Sequence, residues 1–297
     1  MKKIKIGYFA DGPWSHNAFT KIIGDDSIEI AFIVPRKDTS DNTLKQFSVK
    51  YKIDYIENVN INSDDFFNKA SDYDCDLFVS MSYNQIFKQP IINLPKLKTI
   101  NCHAGKLPFY RGRNVLNWVL INDEKSFGIT VHYIDEGIDT GDIIMQRIFP
   151  INDQDTYKSL LEISYKECAN ILYDSIKKIQ TSKVLRIKQN SIDSAGSYCR
   201  RRVFGDEFIN WNQTSRQIFN FIRAISNPGP SAQTHLNGKI IKINNAKICK
   251  KEFDNNFKPG EIIKETSLGY LVGCNNSIIE IQNINVSLFP GQIFKSF

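Results

Sequence analysis

Asn101-Cys102-His103, followed by Leu107-Pro108, by Tyr110-Arg111-Gly112-Arg113 and then by Ile138-Asp139-Thr140-Gly141, offers an amide, an imidazole and a carboxylate to a single reacting carbonyl. Residues 98–104 read as a short strand that breaks at Gly105. Side chains alternate across a strand, so Asn101 and His103 share one face and Cys102 points away. An amide beside an imidazole at a strand end suits an oxyanion donor next to a general base. A carboxylate from a second loop would fix the imidazole tautomer and stabilise its cation, as the acid does in Ser-His-Asp triads. This chemistry requires no serine, threonine or cysteine nucleophile, because the substrate would bring its own, for instance an amine. Taken singly, each of the three side chains also fits a structural role. An Asn at a strand end commonly bonds turn backbone, and a His there is often a satisfied polar residue.

The flanking sequence supplies elements to position these groups. Residues 4–9 read as a first strand entering the loop Ala10-Asp11-Gly12-Pro13-Trp14-Ser15, and a helix then carries Phe19, Ile22 and Ile23. Residues 28–34 are apolar apart from Glu29, as expected of a strand buried on both faces of a parallel sheet. Residues 77–81, 99–102 and 129–134 supply further strands, and their alternation with helices predicts an α/β sheet covered on both faces. Such sheets bind ligands outside the carboxyl ends of their strands, where Asn101 and His103 fall. Asp155 is expected to cap a long helix with Tyr157, Leu160, Leu161, Ser164, Cys168, Ile171 and Leu172 on one face. A second helical stripe, Ile218, Phe221, Ile222 and Ile225, stops at Asn227-Pro228-Gly229-Pro230. From Lys239 onward short alternating strands are expected, with turns at Asn244-Asn245, Leu268-Gly269 and Asn275-Asn276. The fold class is therefore α/β, a Rossmann-like, mostly parallel sheet with a smaller C-terminal helix and barrel-like β subdomain.

Composition narrows the function classes. The 297 residues, 41% of them apolar, suffice for two domains with ordinary cores. A net charge of +6 suits an anionic ligand without demanding nucleic acid. Six cysteines lie scattered with no C-x-x-C pair, which argues against a disulfide framework or a zinc module and makes a reducing cytoplasm the expectation. Met1-Lys2-Lys3 runs into a strand without the apolar core of a signal peptide. Nothing approaches a run of ~18 apolar residues, so no membrane span is expected. Ala10-Asp11-Gly12-Pro13 is not G-x-G-x-x-G, and Pro13 lacks a backbone donor, so the first turn does not read as a dinucleotide site.

Asn-x-His, Leu-Pro-x-Tyr-Arg-Gly, and His132 seven positions before Asp139 in Ile-Asp-Thr-Gly resemble the folate-dependent formyltransferases. The likeness is strongest over 76–150. A second, weaker part follows in Arg201-Arg202, Asp206, Trp211 and the helix ending at Asn227. The resemblance implies 10-formyltetrahydrofolate as formyl donor, no metal, and attack of a substrate amine on the formyl carbon. It implies a catalytic set of Asn101, His103 and Asp139, with Asn101 donating to the oxyanion. His103 would either take the amine proton or share in stabilising the oxyanion. Met81, Ser82, Tyr83 and Ile86 resemble the family's pterin-binding segment, and Asp135, Glu136, Gly137 and Ile138 its closing loop. Core packing for the first group and solvated turn acids for Asp135 and Glu136 are the plain alternatives. His132 fits a satisfied core histidine or a supporting role.

Three acceptors compete within that family. A glycinamide ribonucleotide enzyme would be little longer than the first domain. The methionyl-tRNA enzymes usually carry His-Pro-Ser-x-Leu-Pro where this chain has His103-Ala104-Gly105-Lys106-Leu107-Pro108. Arg111-Gly112-Arg113 followed by Leu116-Asn117-Trp118 is more similar to the nucleotide-sugar N-formyltransferases. The resemblance thus favours a dTDP-4-amino-4,6-dideoxyhexose, with the 3-amino isomer close behind and methionyl-tRNA third. Arg200, Arg201 and Arg202 offer guanidinium forks for a pyrophosphate. Lys106, Arg111 and Arg113 would guide the anion, and Trp14, Trp118 and Trp211 are stacking candidates for a base. The expected organisation is a folate-binding catalytic domain over 1–185, a connecting segment and helix over 186–238, and a β subdomain over 239–297. A cytoplasmic homodimer free of nucleic acid and membrane completes the expectation. A folate-binding module without transferase activity is the non-enzymatic alternative.

Overall fold

A computed structural model of the protein describes residues 3–249 and 257–296. The chain forms two compact units. The first holds residues up to Gly112, Phe127–Phe149 and Glu162–Cys199, and the second holds Arg113–Ser126, Pro150–Leu161 and the remainder.

In the first unit, β1 (Ile4–Ala10), α1 (Gly12–Ile23), β2 (Ile28–Val34), α2 (Thr43–Tyr51), β3 (Asp54–Tyr55), α3 (Asp64–Asp72) and β4 (Leu77–Met81) alternate along the chain. β5 (Thr99–His103) and β6 (Arg111–Gly112) follow. After α4 (Val115–Ile121), which belongs to the second unit, come β7 (Ser126–Tyr133), β8 (Ile143–Pro150), α5 (Tyr157–Gln180) and β9 (Tyr198–Cys199). Seven strands make one sheet in the order β3-β2-β1-β4-β5-β7-β8. β3 to β5 pair in parallel, whereas β7 runs antiparallel to β5.

Alternation explains how this sheet is covered. Adjacent residues Tyr8 and Phe9 face opposite sides, both fully buried. Tyr8 meets Phe19 of α1, with ring centroids 6.2 Å apart. Phe9 enters an aromatic cluster with Phe32, Phe66 of α3, Phe78 and Phe87. The strand order reverses between β1 and β4, whose ends pair at Ala10 and Met81, and a crevice at the strand carboxyl ends is the expected result. α5 starts one residue later than the capping expectation. Asp155 accepts from the Asn152 N–H and the Ser159 hydroxyl, and Thr156 Oγ1 takes the Ser159 N–H instead.

The second unit is built on α4 and α6 (Ser215–Ile225) with β10 (Ala232–Leu236), β11 (Lys239–Ile243), β12 (Asn245–Ile248), β13 (Ile262–Glu265), β14 (Gly269–Cys274) and β15 (Ser277–Gln282). Thr214 and Gln217 form a reciprocal capping box at the start of α6. Ile218, Ile222 and Ile225 are buried on its apolar face. β10 and β11 pair across Asn237-Gly238, both at positive φ, while β12-β15-β14-β13 form an antiparallel sheet. Trp211 is fully buried here, stacked on Phe294 at 5.3 Å with its Nε1 donating to Thr234 Oγ1. All six cysteines are free, and only Cys249 is not fully buried. Among the described residues no helix is long and apolar enough to cross a membrane.

Candidate active site

β5 delivers Asn101 and His103 side by side, and its antiparallel neighbour β7 sets His132 directly across from Asn101. Asp139 arrives from the loop after β7 with a backbone φ of 55°, a left-handed conformation that Asp tolerates better than most residues. All four side chains converge within the first unit. Asn101 Nδ2 lies 3.3 Å from His132 Nε2 and 3.5 Å from Asp139 Oδ1. Asp139 Oδ2 stands 3.6 Å from His103 Nδ1 and accepts the Gly112 N–H at 2.9 Å.

Carbonyl partners fix both imidazole tautomers. His103 Nε2 is 2.7 Å from the Tyr110 carbonyl, which can only accept, so the proton sits on Nε2 and Nδ1 keeps its lone pair. His132 Nδ1 is 2.8 Å from the Tyr133 carbonyl, which leaves Nε2 to accept from Asn101. Charged, His132 would instead donate to Asp139 Oδ1 at 3.4 Å. The His103–Tyr110 bond passes over Gly105, where a Cβ would collide with both His103 Nε2 and the Tyr110 oxygen. Glycine at this position leaves room for that close approach.

Burial opposes ionisation of Asp139, but the positive charge of His103 when protonated, the bond and charge of protonated His132, and the Gly112 N–H outweigh it and hold its carboxyl well below the usual carboxylate range. The site therefore carries a fixed negative charge beside an imidazole with an open lone pair. An amine proton accepted at His103 Nδ1 would be stabilised by that charge. Asn101 aims one hydrogen at Asp139 across 3.5 Å, a long contact, and a hydrogen held so loosely is the kind that an oxyanion would take up.

The other expected site residues divide. Met81 is buried at the end of β4 and Ser82 follows at positive φ. The Tyr83 ring packs against Phe9 and Phe87, and Ile86 is exposed. Asp135 holds its own turn, accepting from the Gly137 N–H and the Thr140 hydroxyl, with Glu136, Gly137 and Ile138 exposed around it. Lys106 is exposed, and Trp14 is half-buried edge-on to Tyr165. Arg111 directs Nε and Nη2 to Gln189 Oε1, at 3.1 and 2.8 Å.

In the second unit, Arg113 is exposed, Arg200 forms a two-pronged pair with Asp206, and Trp118 donates to the Arg200 carbonyl. Arg202 is half-buried over Phe221 and bonds the Asp206 carbonyl, whereas Arg201 is exposed. Gln189 is the residue that motif reading passes over. It is one of a run of polar residues after α5 and carries no spacing signal, yet it is 3% exposed and joins Arg111 to the Asp139 loop.

Comparison with known proteins identifies the family. Residues 10–175 match the family model described as formyl transferase, and residues 205–287 match that of the formyl transferase C-terminal domain. Among sequence relatives, the methionyl-tRNA formyltransferase of Clostridium novyi is 32% identical over 84% of this chain and 78% of its own length. The bifunctional polymyxin resistance protein ArnA of Wigglesworthia glossinidia brevipalpis is 35% identical over 81% of this chain but only 36% of that protein. Two solved structures match nearly end to end. The sugar 3N-formyl transferase WlaRD, crystallised with dTDP and 5-N-formyl-THF, has a TM-score of 0.70 at 25% identity, covering 97% of this chain and all of that one. The N-formyltransferase of Helicobacter canadensis, in complex with folinic acid and dTDP-3-aminofucose, gives the same TM-score and identity over 96% of this chain. The chain thus belongs to the formyl transferase family.

Proposed function

We propose that the protein transfers the formyl group of 10-formyltetrahydrofolate to the 4-amino group of dTDP-4-amino-4,6-dideoxyglucose, a building block for surface polysaccharide such as O-antigen. The observation that carries the transfer chemistry is the convergence of Asn101, His103 and Asp139 at the carboxyl end of β5. The choice of a nucleotide-linked amino sugar is supported by two sugar N-formyltransferase structures that align with almost the whole chain, both described for 3-amino sugars, so that the 4-amino position rests on the sequence resemblance alone. It is supported also by Gly105 and Arg113, where the sequence departs from the methionyl-tRNA pattern.

In this reading the pterin end of the donor enters the crevice at the reversal of strand order, beside Met81–Tyr83 and the 135–138 turn. Asn101 donates to the oxyanion that develops on the formyl oxygen. His103 Nδ1 removes the amine proton, because Nε2–H is already committed to the Tyr110 carbonyl. As the tetrahedral intermediate collapses, the bond from the formyl carbon to the formyl-bearing nitrogen of the folate breaks, and the imidazolium returns that proton to this nitrogen of the departing tetrahydrofolate. Asp139 stabilises the resulting imidazolium by charge, and His132 orients Asn101. The catalytic carboxyamide, imidazole and carboxylate leave no role for a metal in the proposed steps. Of the three arginines proposed for a pyrophosphate, Arg200 and Arg202 are both engaged with Asp206, whereas exposed Arg201 is not held there.

Methionyl-tRNA is the second reading, favoured by the identity to the Clostridium enzyme. A formylation assay with 10-formyltetrahydrofolate decides between them. Acceptors would be dTDP- and UDP-linked 3-amino and 4-amino sugars beside methionyl-tRNA, with product mass as readout. Gain of one formyl group on the dTDP-4-amino sugar alone is the expected outcome. Formylated methionyl-tRNA, or a formylated 3-amino sugar, would replace the acceptor while leaving the catalytic assignment intact.

A further inference from the structure

We propose that Gln189 is a positioning residue that sets the catalytic carboxylate by clamping the backbone of its loop, an inference that rests on the catalytic reading of Asp139. Its carboxamide is 3% exposed and fully used. Nε2 donates to the Asp139 carbonyl at 2.7 Å and to the Gly141 carbonyl at 2.8 Å, gripping the turn at both ends. Oε1 accepts from Arg111 Nε and Nη2. A primary amide has two donor hydrogens and one oxygen with two lone pairs, so all four capacities are filled.

The contacts close a ring. Arg111 precedes Gly112, whose N–H binds Asp139 Oδ2. Gln189 therefore holds the Asp139 backbone from one side and, through Arg111, anchors the segment that holds its carboxylate from the other. Asp139 needs such support, because its φ of 55° lies in a region that L-residues leave readily. A carboxylate set loose by this loop would lose its registration on His103 Nδ1, now 3.6 Å away. Arg111, in this arrangement, acts as a strut behind the site.

Gln189→Glu tests the clamp. The substituted carboxylate keeps a partner in Arg111, in charge-assisted form, but presents oxygen to the two loop carbonyls and repels them. Turnover would be followed with 10-formyltetrahydrofolate and dTDP-4-amino-4,6-dideoxyglucose in four proteins: wild type, Gln189→Glu, Asp139→Asn and the double variant. The expected result is a kcat loss of about 10²-fold for Gln189→Glu, the scale of a small misplacement of a catalytic group. KM should be unchanged, and no further loss should appear when the change is added to Asp139→Asn. Histidine 15N spectra of the substrate-free proteins give a readout independent of the acceptor. Gln189→Glu should move the His103 Nδ1 resonance in the same sense as Asp139→Asn.

A normal kcat in Gln189→Glu, or an equal loss in both backgrounds, would overturn the clamp, as would an unmoved His103 resonance. Full turnover by Asp139→Asn would instead remove the catalytic reading, and the resonance would then decide the clamp alone. Should Gln189→Glu fail to fold, Arg111→Lys loosens the same ring from its other side, and the same spectra and double-variant comparison apply.

Discussion

At the scale of single residues, the site is set by which atom of each side chain is already committed. His103 has one nitrogen engaged and one open, and the engaged one depends on a neighbour with no side chain. Gly105→Ala would push the imidazole off the Tyr110 carbonyl, and kcat should fall by about 10²-fold from misplacement. Steady-state kinetics beside a thermal melt would check this, and a wild-type rate would mean that His103 does not act from the position described. His103→Asn should cost ~10²–10⁴-fold in kcat, the range for a lost general base. Retention of most activity in that variant would remove His103 from the proton transfer. That Asn101 and His103 stand side by side was legible in sequence from strand alternation, and that Asp139 joins them was legible only from motif spacing. His132 was only half legible: its burial was expected, but not that strand pairing would place it across from Asn101. Gln189 was not legible at all, since its four bonds all reach residues at least 48 positions away.

Elements show the same division between local and distant information. The strands over 28–34 and 77–81 match observation because predominantly apolar segments, each broken by one polar residue (Glu29 and Ser80), declare buried parallel strands without help from elsewhere. The hairpin of β10 and β11 carries a local sign too, Asn237-Gly238, a pair suited to two consecutive positive φ values. The expectation that strands begin at Lys239 misses its first arm. α4 is different, because its apolar Val115, Leu116, Val119 and Leu120 would suit any buried partner. Only the fold shows Asn117 donating to the Ala224 carbonyl of α6 at 2.6 Å.

The turn before α6 yields a pH prediction. The Arg200 fork beside Asp206 holds that carboxyl down at about 2. A depressed folded-state pKa stabilises the fold above the unfolded value of ~3.9, and that contribution is lost as pH falls toward about 2. The urea midpoint should therefore drop more between pH 5 and pH 2.5, both round values of the order of these pKa limits, in wild type than in Asp206→Asn. Parallel curves would count against this pairing. Within the same unit, Trp211→Ala should cost about 3–5 kcal/mol, the usual range for emptying a large aromatic site in a core. Chemical denaturation measures it, and a loss near zero would mean that the stacked pair with Phe294 carries no packing energy.

At the scale of the whole molecule, net charge separates the two candidate acceptors. A basic protein of +6 attracts any phosphate, but the salt dependence of that attraction counts the phosphates engaged. For a nucleotide sugar with two phosphates, the KM should rise by at most about sevenfold between 50 and 200 mM salt, at a slope of roughly −0.7 per charge. A transfer RNA held through many phosphates would show a change of about 10³-fold or more. A steep slope with methionyl-tRNA as the formylated acceptor would overturn the sugar reading from a direction independent of product mass.

The buried thiols give the molecule an internal clock for its own opening. Burial pushes Cys75 in the first unit and Cys274 in the second up to about 12, so neither forms appreciable thiolate while folded. An alkylating reagent can modify them only during moments of local unfolding, and the rate of mass gain at each position then reports the opening equilibrium of its own unit. Followed position by position among the six free thiols, Cys75 and Cys274 thereby serve as native labels, one in each unit, from which the separate stabilities can be read without introducing a probe.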